Sequence, residues 1–136
     1  MHIPIDDEMT TQGSCWFTPR EYFMRRMYPL DQAHYDNISH EAQEITLKCW
    51  LSGGRVVVNK RAQYLHLHKG KAFGRMYHWD KGGHYRSTAY CTDYWMRNRW
   101  AESLYPIDWL VEKFWPVPTW PDDWREQVAC YRAQAA

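Results

Sequence analysis

Residues 41–54 read "EAQEITLKCWLSGG", and the parsing of the rest of the chain hangs on them. Ser39 stands just ahead as a candidate N-cap, and Glu41 and Glu44 fall in the first turns, where the helix dipole favours acids. Ala42, Ile45 and Cys49 recur at helical spacing with Trp50 beside them, which predicts a largely buried helix over residues 40–51. Gly53 and Gly54 follow, and glycine adopts most easily the left-handed conformation that ends a helix. Glu44 and Lys48, four apart, also read as an exposed ion pair on one helix face.

Working outward, "RVVVN" (55–59) predicts a strand, and "AQYLHLH" (62–68) predicts another after a short basic turn. On the N-terminal side, "GSCWF" (13–17) is an apolar run ended by Thr18-Pro19 and predicts a buried strand. Thr18 then caps a helix through "REYFMRRM" (20–27), with Pro19 in its first position and Tyr22, Phe23 and Met27 facing inward. Residues 1–12 are polar and read as a lead-in, and residues 28–38 read as a loop with turn chemistry. From Lys69 to Tyr85 the chain is rich in Gly, His and Lys, which predicts a mobile loop. Helices are expected over 87–103 with Tyr90, Tyr94 and Trp95 inward, over 106–115 opened by Pro106, and from Asp122 through Ala133.

The bulk numbers narrow the classes. A chain of 136 residues makes one domain with a modest core. A net charge of +1 gives no footprint for nucleic acid. Nine Trp and ten Tyr either fill that core with large rings or offer stacking faces to sugars or bases. Cys15, Cys49, Cys91 and Cys130 form no C-x-x-C pair, so a cysteine zinc site or redox motif is not expected. Mostly buried, reduced thiols fit better. The start "MHIPIDDEM" lacks the basic and apolar regions of a signal peptide, and no run is long enough to span a membrane. A cytoplasmic protein is the expectation.

The chemistry-bearing stretch is "YLHLHKG" (64–70). In a strand, His66 and His68 share a face, so they read as a metal site, a polar strand face, or the entry to a loop that closes on a charged ligand. Spacing alone does not choose among these.

Taken together, "GSCWFTPREYF", "EAQEITLKCWLSGG" and "YLHLHKG" resemble the second half of a GT-A glycosyltransferase. The nearest likeness is to family 2 enzymes and the polypeptide N-acetylgalactosaminyltransferases. Those enzymes have a glycine, a short apolar strand and an R-[DE]-x-F helix start, matched here by Gly13, Arg20, Glu21 and Phe23. They continue with an acidic helix start and E-[IL]-[ST]-[LF]-[RK]-x-W-x-x-G-G, matched by Glu41 and by Glu44 through Gly54. Twelve residues after the second glycine they place a metal-coordinating histidine, and here that position is His66.

The resemblance implies an α/β fold, the C-terminal half of a GT-A fold, with short mixed strands and flanking helices. It covers an acceptor and metal half-domain (13–70); the lead-in (1–12), a basic Gly/His loop (71–86) and an aromatic-rich helical extension (87–136) are read from composition and lie outside its motifs. It implies sugar transfer from a nucleotide sugar to a hydroxyl acceptor with Mn²⁺ or Mg²⁺, which neutralises the leaving diphosphate. His66 would be the metal ligand, and His68, Lys69, Lys71 and Arg75 would close over the diphosphate. Glu41 and Glu44 are the catalytic candidates, and Trp16 and Trp50 the candidate walls of the acceptor site. Two departures shape the expectation. Ala42 stands where inverting members carry the general-base Asp, so Glu41 or Glu44 replaces it, or configuration is retained and no such base is needed. The nucleotide-binding half with its D-x-D motif is not in the chain, so a fragment, split-gene product or remnant is expected, inactive alone, with a separate N-terminal half as partner or with self-association through uncovered apolar surface. The competing reading is a non-catalytic carbohydrate- or protein-binding module derived from that fold.

Overall fold

The computed structural model describes residues 4–35, 40–66 and 81–134. Its order is β1 (Ile5–Asp7), α1 (Arg20–Tyr22, continued by a π-helical turn at Phe23–Met27), α2 (Glu41–Leu51), β2 (Val57–Asn59), α3 (Lys81–Met96), α4 (Ile107–Lys113) and α5 (Trp124–Ala133). The described residues are therefore mixed α and β, with helices dominating. None of these helices is long and apolar enough to cross a membrane.

α2 is the hub. It is buried on several sides at once, and each side meets a different part of the chain. Trp50 and Leu51 join Trp95, Ile107, Leu110, Val111, Trp124 and Val128 in the main core, so the helices after residue 81 share that core with α2, and α4 packs directly against it. Ile45 and Cys49 form a second cluster with Met27, covered by Tyr22, Phe23 and Leu30. Thr46 bonds its own helix at the Ala42 carbonyl (2.7 Å) and accepts the Thr11 backbone N–H at 3.1 Å. At the helix head, His40 occupies the cap position without a side-chain cap bond, and its Nε2 meets Thr88 Oγ1 of α3 at 3.0 Å. Ser39, the expected cap, lies outside the described residues.

The N-terminal lead-in is part of the fold. β1 pairs antiparallel with β2 in the register Ile5–Asn59, Asp6–Val58 and Asp7–Val57. The pairing is extended by Glu8 N–H to Val56 O (3.1 Å) and Lys60 N–H to Pro4 O (2.8 Å). Asp7 ties this sheet to α4 by an ion pair with Lys113 at 2.9 Å and to Arg55 beside it. Lys113, then Arg55, holds the Asp7 carboxyl below its ordinary range. Short acidic segments carry little apolar signal, which is why residues 1–12 read as unstructured.

Other boundaries move for local reasons. Residues 13–17 form no strand; Phe17 is 93% exposed and Trp16 stacks on Phe23 at 6.0 Å. Thr18 does not cap α1, whose cap position is Pro19. Residues 62–66 are irregular rather than a strand, with Tyr64 and Leu65 exposed. α3 includes Lys81, six residues before the expected start at Ser87, since packing buries Gly83 and Ser87 and overrides the weak helix propensity of Gly82-Gly83. It ends at Met96 rather than 103 because Asn98 adopts a left-handed φ of 51°. The Asn98 carboxamide oxygen then accepts the first N–H of α4, from Ile107, at 2.9 Å. Of the four thiols only Cys49 is buried and Cys91 is half-buried; Cys15 and Cys130 are exposed. The expectation of mostly buried thiols is corrected accordingly.

The paired glycines have a steric cause. Gly53 takes φ +83°, and the amides of Gly53 and Gly54 turn back to the carbonyls of Trp50 (3.0 Å) and Cys49 (2.8 Å), the Schellman arrangement. At Gly54 a Cβ would sit 2.0 Å from Tyr22 Oη and 2.8 Å from the Cys49 carbonyl. Tyr22 is held there by Ser52 Oγ at 3.2 Å. Gly54→Ala should therefore destabilise the fold by about 2–3 kcal/mol in urea unfolding, the upper range for overpacking. Adding Tyr22→Phe should recover part of that loss, and only part, because the Cys49 carbonyl is backbone. Strict additivity of the two substitutions would count against this contact.

Candidate functional site

The site grows from the ion pair within α2. Glu44 and Lys48 meet at 2.7 Å with side chains only 3% and 10% exposed. A buried charge needs complete hydrogen bonding, and both have it. The three N–H groups of the Lys48 ammonium reach Glu44 Oε1, Met27 O (3.0 Å) and Pro29 O (2.7 Å). Glu44 in turn accepts the Asp31 backbone N–H on both carboxylate oxygens, at 3.0 and 3.1 Å. The exposed i,i+4 reading of this pair is thus corrected: it is interior, and it grips the turn at residues 27–31.

That grip places Asp31. Its carboxylate accepts the His34 ring Nδ1–H at 2.8 and 2.9 Å and the Tyr90 hydroxyl at 2.8 Å. The carboxylate can only accept, so His34 Nδ1 carries the proton and Nε2 faces away from it. The His34 ring lies flat on Tyr90, centroids 4.2 Å apart and 6° from parallel, and its side chain is 54% exposed. Burial pulls the Asp31 carboxyl upward, but the bonds from Tyr90 and His34 together outweigh it and hold the group below its ordinary value. Burial, then the facing Asp31 carboxylate, pushes the Tyr90 phenol well above its own.

A cleft of about 410 Å³ opens beside this network. The 26–35 turn, the Glu44–Lys48 side of α2, Tyr94 and Trp95 of α3, and Trp100 and Glu102 after it form its walls. Tyr94 and Trp95 meet edge to face at 5.1 Å, and Trp95 and Trp100 at 6.0 Å.

The residues singled out in the sequence are not gathered into one place. Glu41 opens α2, half-buried, three residues before the fully engaged Glu44. Trp50 is 3% exposed, its indole N–H bonds the Glu8 carbonyl at 3.1 Å, and Phe114 and Trp109 pack against its ring, so it presents no open face to a sugar. Trp16 is exposed and does present one. His66 is exposed, two residues beyond Tyr64, whose hydroxyl meets Ser14 Oγ at 2.7 Å and donates to Gln12. His68, Lys69, Lys71 and Arg75 lie outside the described residues. Among the described residues no three His, Cys, Asp or Glu side chains converge as a metal site. His66 by itself does not complete a metal shell. The Asp31, His34 and Tyr90 network escaped the sequence reading because its members come from a turn and a distant helix. The only local signal was the Asp31-x-x-His34 spacing.

No family model, no curated protein and no solved structure matches this chain.

Glu44→Gln should cost about 3–5 kcal/mol in urea unfolding, because it leaves the Lys48 ammonium buried without its counter-charge. The double variant Glu44→Leu, Lys48→Met should cost much less than that single change. A loss below about 1 kcal/mol for the single variant would mean that the pair is solvated.

Asp31 gives a pH signature. Its folded pKa is below the unfolded value of 3.8, so the unfolded chain binds the proton more readily. The carboxylate's contribution is then complete above the unfolded value and fades as pH falls through the folded one. The stability gap between the native chain and Asp31→Asn should narrow as urea unfolding is repeated from about pH 6 down to about pH 2. A gap that widens on acidification would contradict the geometry.

Proposed function

We propose that this chain is the acceptor side of a glycosyl-transfer site, built as the C-terminal half of a GT-A fold. One observation carries the reading: three separate segments keep the order and spacing described above, from Gly13 to Phe23, from Glu41 to Gly54, and then His66. In this reading His66 offers an imidazole to a divalent cation, Mn²⁺ or Mg²⁺, whose charge would balance that of a leaving diphosphate. Lys69, Lys71 and Arg75 supply further positive charge to the same group, and His68 stands next to it in sequence. Between the two acids, Glu41 is the better base. Glu44 already holds Lys48 and the Asp31 amide, while Glu41 stands half-buried at the helix head, where it can take the proton of an acceptor hydroxyl. Glu44 is then a positioning residue.

The nucleotide part of a donor would be held by a separate N-terminal half. The exposed Phe17, Val57 and Val58 offer apolar surface for it, or for a second copy. Exposed Trp16, Phe17 and Tyr28 also favour the second reading, a carbohydrate- or protein-binding module without catalysis.

The metal claim is tested by ¹H–¹⁵N NMR of the purified chain titrated with Mn²⁺, with and without uridine diphosphate. Broadening should centre on Tyr64, Leu65 and His66, grow stronger with the diphosphate, weaken in His68→Ala and disappear in His66→Ala. Broadening that follows the acidic surface and survives His66→Ala would rule the assignment out.

A further inference from the structure

We propose that the 410 Å³ cleft beside the Glu44–Lys48 pair is a binding site for a neutral, polyhydroxylated ligand, a sugar ring. Its volume lies in the range of small-molecule sites, roughly 300–1,000 Å³. Its lining decides the ligand class.

Charge excludes an anion. Lys48 is the most buried cation of the cleft, and all three of its N–H groups are in use. Arg26 adds one positive charge, and Asp31 and Glu102 add two negative ones. A phosphate or diphosphate entering here would meet more carboxylate than counter-charge. A purely apolar ligand fits no better, because it would cover the Glu102 carboxylate and the polar tips of the tyrosines that line the cleft without offering them a hydrogen bond.

What remains is a molecule with C–H faces and hydroxyl edges. Tyr28, Tyr35, Tyr94, Trp95 and Trp100 line the cleft and supply apolar ring faces with polar tips. The edge-to-face angles along Tyr94, Trp95 and Trp100 turn these rings in different directions, so a ligand is touched on more than one side. Trp95 is 3% exposed, and its indole N–H faces the Tyr35 hydroxyl and the Cys91 thiol, so it closes the inner wall of the cleft. The floor is rigid, because the ion pair and the Asp31 network fix the 27–31 turn before any ligand arrives. In the glycosyl-transfer reading this cleft would receive the acceptor, and only that assignment rests on the reading; sugar binding does not.

The experiment is a ¹H–¹⁵N NMR titration of the full chain with glucose, galactose and N-acetylglucosamine, followed at the tryptophan indole signals, with glucose 6-phosphate as the anionic control. At least one neutral sugar should shift the Trp95 and Trp100 indoles saturably, with a dissociation constant on the order of millimolar. The phosphorylated sugar should bind more weakly than glucose. Trp100→Ala should weaken binding about tenfold, as for loss of one stacking face, and Tyr85→Ala, an exposed ring outside the cleft, should leave it unchanged. Tyr28→Ala, on the exposed side, should weaken binding too, and it serves as the test if Trp100→Ala does not fold. No saturable shift with any of the three sugars would overturn the proposal. So would tighter binding of the phosphate ester, or shifts that survive Trp100→Ala and Tyr28→Ala but vanish in Tyr85→Ala. The Mn²⁺ readout at His66 is separate. Sugar shifts without metal broadening keep the cleft and remove the transfer reading, and broadening without sugar shifts does the reverse.

Discussion

The rest of the structure depends on the ion pair between Glu44 and Lys48. Two charges inside a protein lose most of their hydration, and their attraction offsets that loss only when every donor and acceptor is matched. Here the matching is done by the backbone of another segment. Lys48 binds the carbonyls of Met27 and Pro29, and Glu44 binds the amide of Asp31. A hydrophobic contact would let that turn slide, but these bonds fix its position and direction. Through Asp31 the constraint passes to Tyr90, so the turn after α1, the hub helix α2 and the long helix α3 are joined by one polar chain.

Much of the 41–54 pattern has a mechanical reason in this arrangement. Ile45 and Cys49 close the small cluster with Met27, Thr46 holds residue 11, Trp50 and Leu51 enter the main core, and Gly54 leaves room for Tyr22. Glu41 at the head of α2 and His66 beyond Tyr64 are the residues to which the proposed transfer chemistry is assigned.

Polar and aromatic groups divide the work. The main core uses large rings as packing, with Trp50 set against Phe114 and Trp109. Around the cleft the same residue types keep one side open, as Trp100 and Tyr28 do. Aromatic content alone gave no way to tell the two uses apart, since a buried indole and an exposed one have the same composition.

Helices were the most legible part of the chain, for a physical reason. Periodicity, Pro106 and the Gly53-Gly54 pair are local signals, and α2, α4 and α5 follow them closely. Strands were less legible. β1 is three residues of "IDD" with no apolar alternation, and it forms because β2 lies alongside it. Conversely, "GSCWF" has the composition of a strand but pairs with no strand among the described residues, and it is irregular. Within the site, the sequence by itself determined that Glu44 and Lys48 share a helix face, since four residues make one turn. Only the tertiary structure decided that this face is interior, that Asp31, His34 and Tyr90 meet, and that Trp50 is core while Trp100 lines a cleft. Those outcomes depend on contacts across 13 to 59 residues of chain, such as Asp31 with Glu44 and with Tyr90, and no local propensity encodes a contact at that distance.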